Sequence, residues 1–280
     1  MLIIPVMTDV GARMVHDGRM SGKSRQTARQ SRQRTIVDHV VTNGFASAAD
    51  LAGLTAVSLM TVHRDIDELV VRGVLRKYHG GVSAQPSTVF ESSSDFRMHA
   101  AVQEKEALAK AALRFVHPGM SVILDDSTTV LALARLLVDV GPLTVATNYL
   151  RAIEVFREAE DVRLLGLGGE YSRTHDSFIG LSCQEAIGRL SLDVMFQSTS
   201  AMTESMTFHQ EQEIVLVKRA LMASASLRIL LMDGSKVGRT ALHRFTPVVD
   251  FDHVLIAGEV DEAILDALGE HTDVIRVPVP

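Results

Sequence analysis

Residues 58–81, SLMTVHRDIDELVVRGVLRKYHGG, constrain this chain more than any other stretch. Val62, Ile66 and Leu69 recur at four- and three-residue spacing, the mark of a helix that buries one apolar stripe. Ser58 stands just before the stripe, where a hydroxyl can accept an orphan backbone N–H. Thr61, His63, Arg64 and Glu68 fall off the stripe and face outward. Gly73 sits where a helix stops. Val74 and Leu75 then start a strand, Arg76, Lys77 and His79 add positive or protonatable groups, and Gly80-Gly81 permits a tight hairpin. A helix running straight into a basic hairpin argues for docking on DNA.

The upstream pattern supplies the rest of such a head. A first helix is expected over 32–42, with Ile36, Val40 and Val41 inward and Asn43-Gly44 ending it. Ser47 caps a second helix carrying Leu51 and Ala52, and residues 54–57 form the turn. Helix, helix, turn, helix and wing make a winged helix-turn-helix. Residues 1–30 lack periodicity and read as a mostly disordered extension, with Met20 an alternative start. Arg25, Arg29, Arg32 and Arg34 read either as phosphate contacts or as a solvated tail. Net charge supports the division: residues 1–82 balance at +4 and residues 83–280 at −10, within a total of −6. Phosphate contacts act over about a Debye length, roughly 8–10 Å, so the local balance is the relevant one.

Residues 83–96, SAQPSTVFESSSDF, read as a polar linker. Beyond it, short apolar runs alternate with helical patterns. Strands are expected at 121–125, 143–147, 162–167, 193–196, 228–233, 254–257 and 274–277, and helices at 103–115, 129–138, 149–158, 182–190, 211–225 and 261–268. That alternation predicts a Rossmann-like, parallel-dominated α/β domain covered on both faces. The expected boundaries are a head at 31–82, a linker at 83–98 and an α/β body at 99–280. No apolar run reaches the roughly 18 residues of a membrane helix. The opening MLIIPVM is too short for a secretory signal and lacks its basic start. Together with the lone Cys183, read as a small buried residue, these features lead to an expected cytoplasmic location.

In such a sheet, ligands sit beyond the carboxyl ends of the strands. Asp125-Asp126-Ser127-Thr128-Thr129 follows the first strand and opens a helix, a set of hydroxyls and backbone N–H groups suited to a phosphate or, with no ligand, simply a helix cap. Thr147-Asn148 follows the second strand and Gly168-Gly169-Glu170 the third. Asp233-Gly234-Ser235-Lys236 ends a later strand, and Lys218 lies on a helix; either lysine suits an anionic or hydroxylated ligand or plain solvent. His175, His209 and His271 are scattered, and no metal or dinucleotide motif occurs, so neither metal nor cofactor is expected.

Taken together, these residues resemble the DeoR family of bacterial transcription regulators across residues 32–260. In the head the resemblance rests on Ser58, Thr61, Val62, Arg64, Asp65, Ile66, Gly73, Leu75, His79, Gly80 and Gly81. In the body it rests on Glu104-Lys105, Asp125 to Thr129, Thr147-Asn148, Gly168-Gly169, and Asp233, Ser235 and Lys236. It implies a body similar to sugar-phosphate isomerases, used as a sensor that changes the head's DNA affinity. His63 departs from the family's usual Arg, Ser127 from its usual loop Gly, and Ser198 and Ser200 from a region often rich in glycine.

On this reading Ser58, Met60, Thr61, His63 and Arg64 present the DNA-reading face, and Arg76, Lys77 and His79 steady the phosphates. An effector phosphate is expected on Ser127, Thr128 and Thr129 near Lys236, with sugar hydroxyls on Asp125, Asn148 and Glu170; Asp126, Thr147, Gly168, Gly169, Lys218 and Asp233 complete the set. The partners are operator DNA, a phosphorylated sugar and further copies of the chain, as a dimer or tetramer. The alternative is a sugar-phosphate isomerase with a fused head, which needs a carboxylate base, Asp125, Glu170 or Glu213.

Overall fold

A computed structural model describes residues 22–72, 74–78, 80–83, 88–89 and 91–280. Gly73 and His79, the side chain of Val41 and the first twenty-one residues lie outside this set.

The head holds three helices: α1 (Gly22–Asn43), α2 (Ala48–Thr55) and α3 (Leu59–Val71). Helix α1 begins ten residues before the expected start at Arg32, so residues 22–30 are helical rather than unstructured. The run KSRQTARQSRQR contains no proline and is rich in Arg and Gln, both good helix formers. Ser47 and Asp50 close a capping box on α2, and Ser58 caps α3 through the Thr61 N–H. Ile36, Val40, Leu51, Val62, Ile66 and Leu69 bury against one another.

A charged residue joins that core. Asp65, 1% exposed, accepts from Arg32 Nε at 2.5 Å and from Gln33 Nε2 at 3.2 Å, and Arg29 lies 3.7 Å away. Arg32 therefore holds α3 to α1, and Arg29, 41% exposed, adds a partner at the rim. Three short strands form the wing: β1 (Ala46–Ser47), β2 (Arg76–Tyr78) and β3 (Gly81–Ser83), in the order β1-β3-β2. Gly80 turns the hairpin at φ +86°, and a Cβ on Gly81 would lie 2.3 Å from the Ala46 carbonyl oxygen, so the β1–β3 approach requires glycine.

The body follows as α4 (Ser94–His99), α5 (Val102–Ala112), β4 (Ser121–Leu124), α6 (Thr128–Leu137), β5 (Leu143–Thr147), α7 (Leu150–Phe156) and β6 (Val162–Gly166). It continues as β7 (Glu170–Ser172), β8 (Ser177–Ile179), α8 (Leu181–Ile187), β9 (Leu192–Gln197), β10 (Ala201–Met202), β11 (Met206–His209) and α9 (Gln212–Ala223). It closes with β12 (Ala225–Asp233), β13 (His243–Pro247), β14 (His253–Ala257), α10 (Glu262–Gly269) and β15 (Asp273–Val277). The seven strands expected from the sequence form one parallel sheet in the order β15-β14-β12-β9-β4-β5-β6.

Side chains alternate across this sheet. Val122 and Leu124 pack towards α5, α6 and α7, while Ile123 packs towards α8, α9 and α10. Cys183 is buried in the second of these layers, and burial pushes its thiol up to about 11. The small sheets β7-β8 and β10-β11-β13 were not expected; their strands are two to five residues long, too short to show a period.

One feature of the sheet matters for function. The chain runs outward from β4 through β5 to β6, then returns to place β9 on the other side of β4, so the order reverses between β4 and β9. Crevices at such a reversal, above the carboxyl ends, are where open α/β sheets take ligands.

Candidate functional sites

On the head, the outward face of α3 carries no apolar partner. Leu59 is 50% and Met60 77% exposed, and His63 and Arg64 are exposed beside them. Thr61 is half-buried, and its hydroxyl pairs with the Ser58 hydroxyl at 3.0 Å. In the wing the Arg76 guanidinium lies 4.1 Å from the centre of the Tyr78 ring, and Lys77 pairs with Asp67 of α3. Lys77 thus fixes the wing against the recognition helix. The arrangement presents the N-terminal half of a helix with a positive strand beside it, the geometry with which a helix-turn-helix enters a major groove.

On the body, a cavity of about 380 Å³ opens at the β4/β9 reversal. Asp126, Ser127 and Thr128 reach it from the end of β4, Ser198, Thr199 and Ser200 from the end of β9, and Asp233, Ser235 and Lys236 from the end of β12. Lys218 enters from α9, Lys105 from α5, Arg97 from α4, and Arg239 from the segment after β12.

Beneath it lies a buried ion pair. Lys218 Nζ donates to Asp125 Oδ2 at 2.5 Å and to the Ser198 carbonyl at 2.9 Å, and lies 3.6 Å from Asp126. Asp125 also accepts from the Ser127 N–H at 3.0 Å and the Ser198 N–H at 2.9 Å, so one carboxylate ties the β4 and β9 loops together. Burial pushes the Asp126 carboxyl up, but Lys218, His175 and a 2.7 Å bond from the Ser177 hydroxyl together outweigh it and hold the group at about 2. Asp233 is likewise raised by burial, but Lys236, 3.1 Å away, the Ser235 hydroxyl and Lys105 together bring it below the usual carboxylate range.

Lys105 behaves differently. Its ammonium donates to the carbonyls of Arg97 and Ala100, the latter at 2.6 Å, and among the described residues no carboxylate pairs with it. Burial and the nearby Lys236 charge bring it down to about 7. An anion in the cavity would meet Lys105, Lys218 and Lys236 at once, with Ser and Thr hydroxyls at hand.

The structure sorts the expected effector residues into two groups. Asp126, Ser127, Thr128, Lys218, Asp233 and Lys236 line the cavity, with Asp125 fully buried below. Thr129 is also fully buried and its hydroxyl meets no partner. Ser127 needs no glycine: at φ −88° its hydroxyl caps α6, accepting from the Val130 N–H. Thr147, Asn148, Gly168, Gly169 and Glu170 do not line the cavity, against the expectation that Asn148 and Glu170 meet the same ligand. They follow β5 and β6, which run outward on the far side of β4 from β9. Thr147 accepts from the Tyr149 N–H, Asn148 donates to the Phe178 carbonyl, Gly169 packs tightly on Ile179, and Glu170 is exposed.

Several lining residues escaped the sequence reading: Glu91 and Ser92 of the presumed linker, Arg97, Lys105, His209 and Arg239. Residues 91–94 are buried and 94–99 helical, so this part of the linker is packed structure: Ser94 bonds Tyr149 of the body, and Phe96 is buried with the head core. Only Lys105 carried a signal, in the Glu104-Lys105 pair. Among the described residues no group of three or more His, Cys, Asp or Glu is placed to hold a metal, and no helix is long and apolar enough to cross a membrane.

A winged helix-turn-helix joined to an α/β body with a polar, cation-lined crevice defines a ligand-sensing DNA-binding regulator. Residues 32–88 match the DeoR-like helix-turn-helix domain, and residues 100–257 match the DeoR C terminal sensor domain. The chain belongs to the DeoR family of transcriptional regulators. It is 30% identical over 249 residues to the putative aga operon transcriptional repressor of Escherichia coli O157:H7, covering 87% of this chain and 90% of that one. It is 26% identical over 241 residues to the glycerol-3-phosphate regulon repressor of Escherichia coli K12, covering 86% and 95%. Among solved structures, ribose 5-phosphate isomerase A from Methanocaldococcus jannaschii overlaps 49% of this chain and 55% of its own, at TM-score 0.37 and 16% identity.

Proposed function

We propose that this DNA-binding regulator is a repressor of carbohydrate-catabolism genes, released from its operator by a small phosphorylated sugar bound in the β4/β9 crevice. The observation that carries the effector reading is the convergence of Lys105, Lys218 and Lys236 on one 380 Å³ cavity. That volume suits a sugar phosphate, and ligand pockets commonly start at about 300 Å³. Ser127, Thr128, Ser198 and Ser200 supply hydroxyls for the phosphate or the sugar. The names of the two relatives, an aga operon repressor and a glycerol-3-phosphate regulon repressor, support the same class of control.

On the head, Met60, Thr61, His63 and Arg64 read base edges, while Arg76 and Lys77 position the duplex. Operators for such heads are usually two-fold, so the working form is a dimer or tetramer in the cytoplasm. The pocket binds and does not turn over its ligand. Asp125 is committed to Lys218 and two backbone N–H groups, and Glu170 and Glu213 are exposed outside the cavity.

A thermal-shift panel of sugar phosphates beside their unphosphorylated parents tests this reading. The right ligand at 100 times its Kd adds about 2.7 kcal/mol of stability. A shift confined to phosphorylated sugars supports it. No shift, or an equal shift from the parent sugar, counts against it.

A further inference from the structure

The segment joining head to body holds the cavity from inside. Glu91 is 6% exposed. Its carboxylate accepts from the Ser200 hydroxyl, from the Ser92 N–H at 2.9 Å and from the Ser92 hydroxyl at 3.2 Å, and lies 3.8 Å from His209 Nε2. The Glu211 N–H donates to His209 Nδ1 at 3.1 Å, which leaves the ring proton on Nε2, facing Glu91.

The partners of this carboxylate differ in kind from those of its neighbours. Asp126 has Lys218 at 3.6 Å and Asp233 has Lys236 at 3.1 Å. Among the described residues Glu91 pairs with no Lys or Arg; its charge meets hydroxyls, one N–H and a histidine that burial keeps from protonating. A buried charge without a counter-ion is costly to keep. Glu91 is therefore the anion in this cavity most easily exchanged for another.

The same segment reaches the head. The Arg97 carbonyl accepts from Lys105 and from the Thr128 hydroxyl at 3.3 Å, and the Ala100 carbonyl from Lys105 at 2.6 Å. Phe96, next to Arg97, is buried in the head core with Ile36, Leu69 and Val74. One short helix thus has its carbonyls on the cavity's cation and its ring in the DNA-binding domain.

We propose that residues 91–100 are an internal ligand of the cavity. In the ligand-free protein Glu91 occupies ground that an anionic effector takes; effector entry expels it, draws Lys105 off the α4 carbonyls, and loosens the hold of Phe96 on the head. The proposal rests on the anion reading of the pocket. Like charges in one small cavity exclude each other, and only such differential affinity can shift the head between states.

Glu91→Gln in the full chain tests it, with inorganic phosphate as the calorimetric probe and hydrogen exchange at residues 92–100 as a second readout. The proposal expects the variant to bind phosphate about tenfold tighter, a usual size for coupling between sites. It also expects faster exchange at 92–100 without ligand, with strands β4, β9 and β12 unchanged. Equal or weaker phosphate binding by the variant, while the wild type binds, would overturn it. If neither chain binds phosphate, the anion reading fails by itself and exchange decides the strap: acceleration upholds the Glu91 latch, no change rejects it. Should Glu91→Gln fail to fold, Ser92→Ala removes one hydroxyl from the same carboxylate and is expected to act in the same direction by a smaller factor.

Discussion

Helix α3 and the strap at 91–99 send their polar side chains in opposite directions. In α3 the apolar stripe Val62, Ile66 and Leu69 is buried, and His63 and Arg64 stand in solvent. In the strap Glu91, Ser92, Ser93 and Ser94 are all buried. The difference lies in what each segment packs against. Helix α3 meets an apolar core that can satisfy few polar groups, and Asp65 goes inward only because Arg32 and Gln33 meet it. The strap meets the carboxyl ends of a parallel sheet, where hydroxyls, loop N–H groups and histidines are waiting. Polarity in a segment therefore tells where it lies only once its partners are known.

The largest effect expected from breaking this contrast is at Lys218. Lys218→Met leaves the fully buried Asp125 without its counter-ion, and removing one partner of a buried pair costs about 3–5 kcal/mol. Urea denaturation followed in the body should show a loss of that order. A loss under about 1 kcal/mol would mean that the carboxylate is not held as the geometry requires.

Arg64→Ala is the matched change on the exposed face. Its effect on stability should stay within about 0.5 kcal/mol, as for most surface substitutions. Operator affinity should fall by about 1–3 kcal/mol, the worth of a good base contact, measured by fluorescence anisotropy at fixed salt. Unchanged affinity would remove α3 from the interface.

Lys105 gives a smaller, pH-dependent effect. Burial lowers its pKa to about 7, so it is largely charged below that pH and largely neutral well above it. The charged form attracts an anion, so phosphate-ester affinity should weaken as pH rises from 7 to 8.5. Over that range the ester is already doubly charged, its second pKa being about 6, so the titration belongs to the protein. In Lys105→Gln the slope should vanish; a slope that survives assigns it to another group.

Much of the fold was readable because periodicity carries it. Two-residue alternation in β4 and the four-and-three spacing in α3 each follow from one buried face. The head's motif residues reappear as caps, hairpin glycines and the Asp65 anchor. The site was readable only in part. Strand-end loops can be located from sequence, but which of them share a crevice depends on strand order, and no local pattern reveals that β9 lies beside β4. Asn148 and Glu170 were misplaced for this reason. Helix α4 was missed because its six residues, SDFRMH, are few and mostly polar and follow a serine run, so they resemble a tether until their partners are seen.

The central claim is that an anion in the β4/β9 crevice controls the grip of α3 on DNA. It is tested most directly by operator anisotropy titrations of wild type and Lys236→Ala, each with and without the phosphorylated sugar that stabilises the wild type. Lys236 lines the crevice, lies far from α3 in sequence and is only partly buried. Equal operator affinity is expected for the two ligand-free proteins, with a drop of about tenfold on adding the ligand to wild type and little or no drop in the variant. An undiminished response in Lys236→Ala would contradict the claim and place the effector elsewhere.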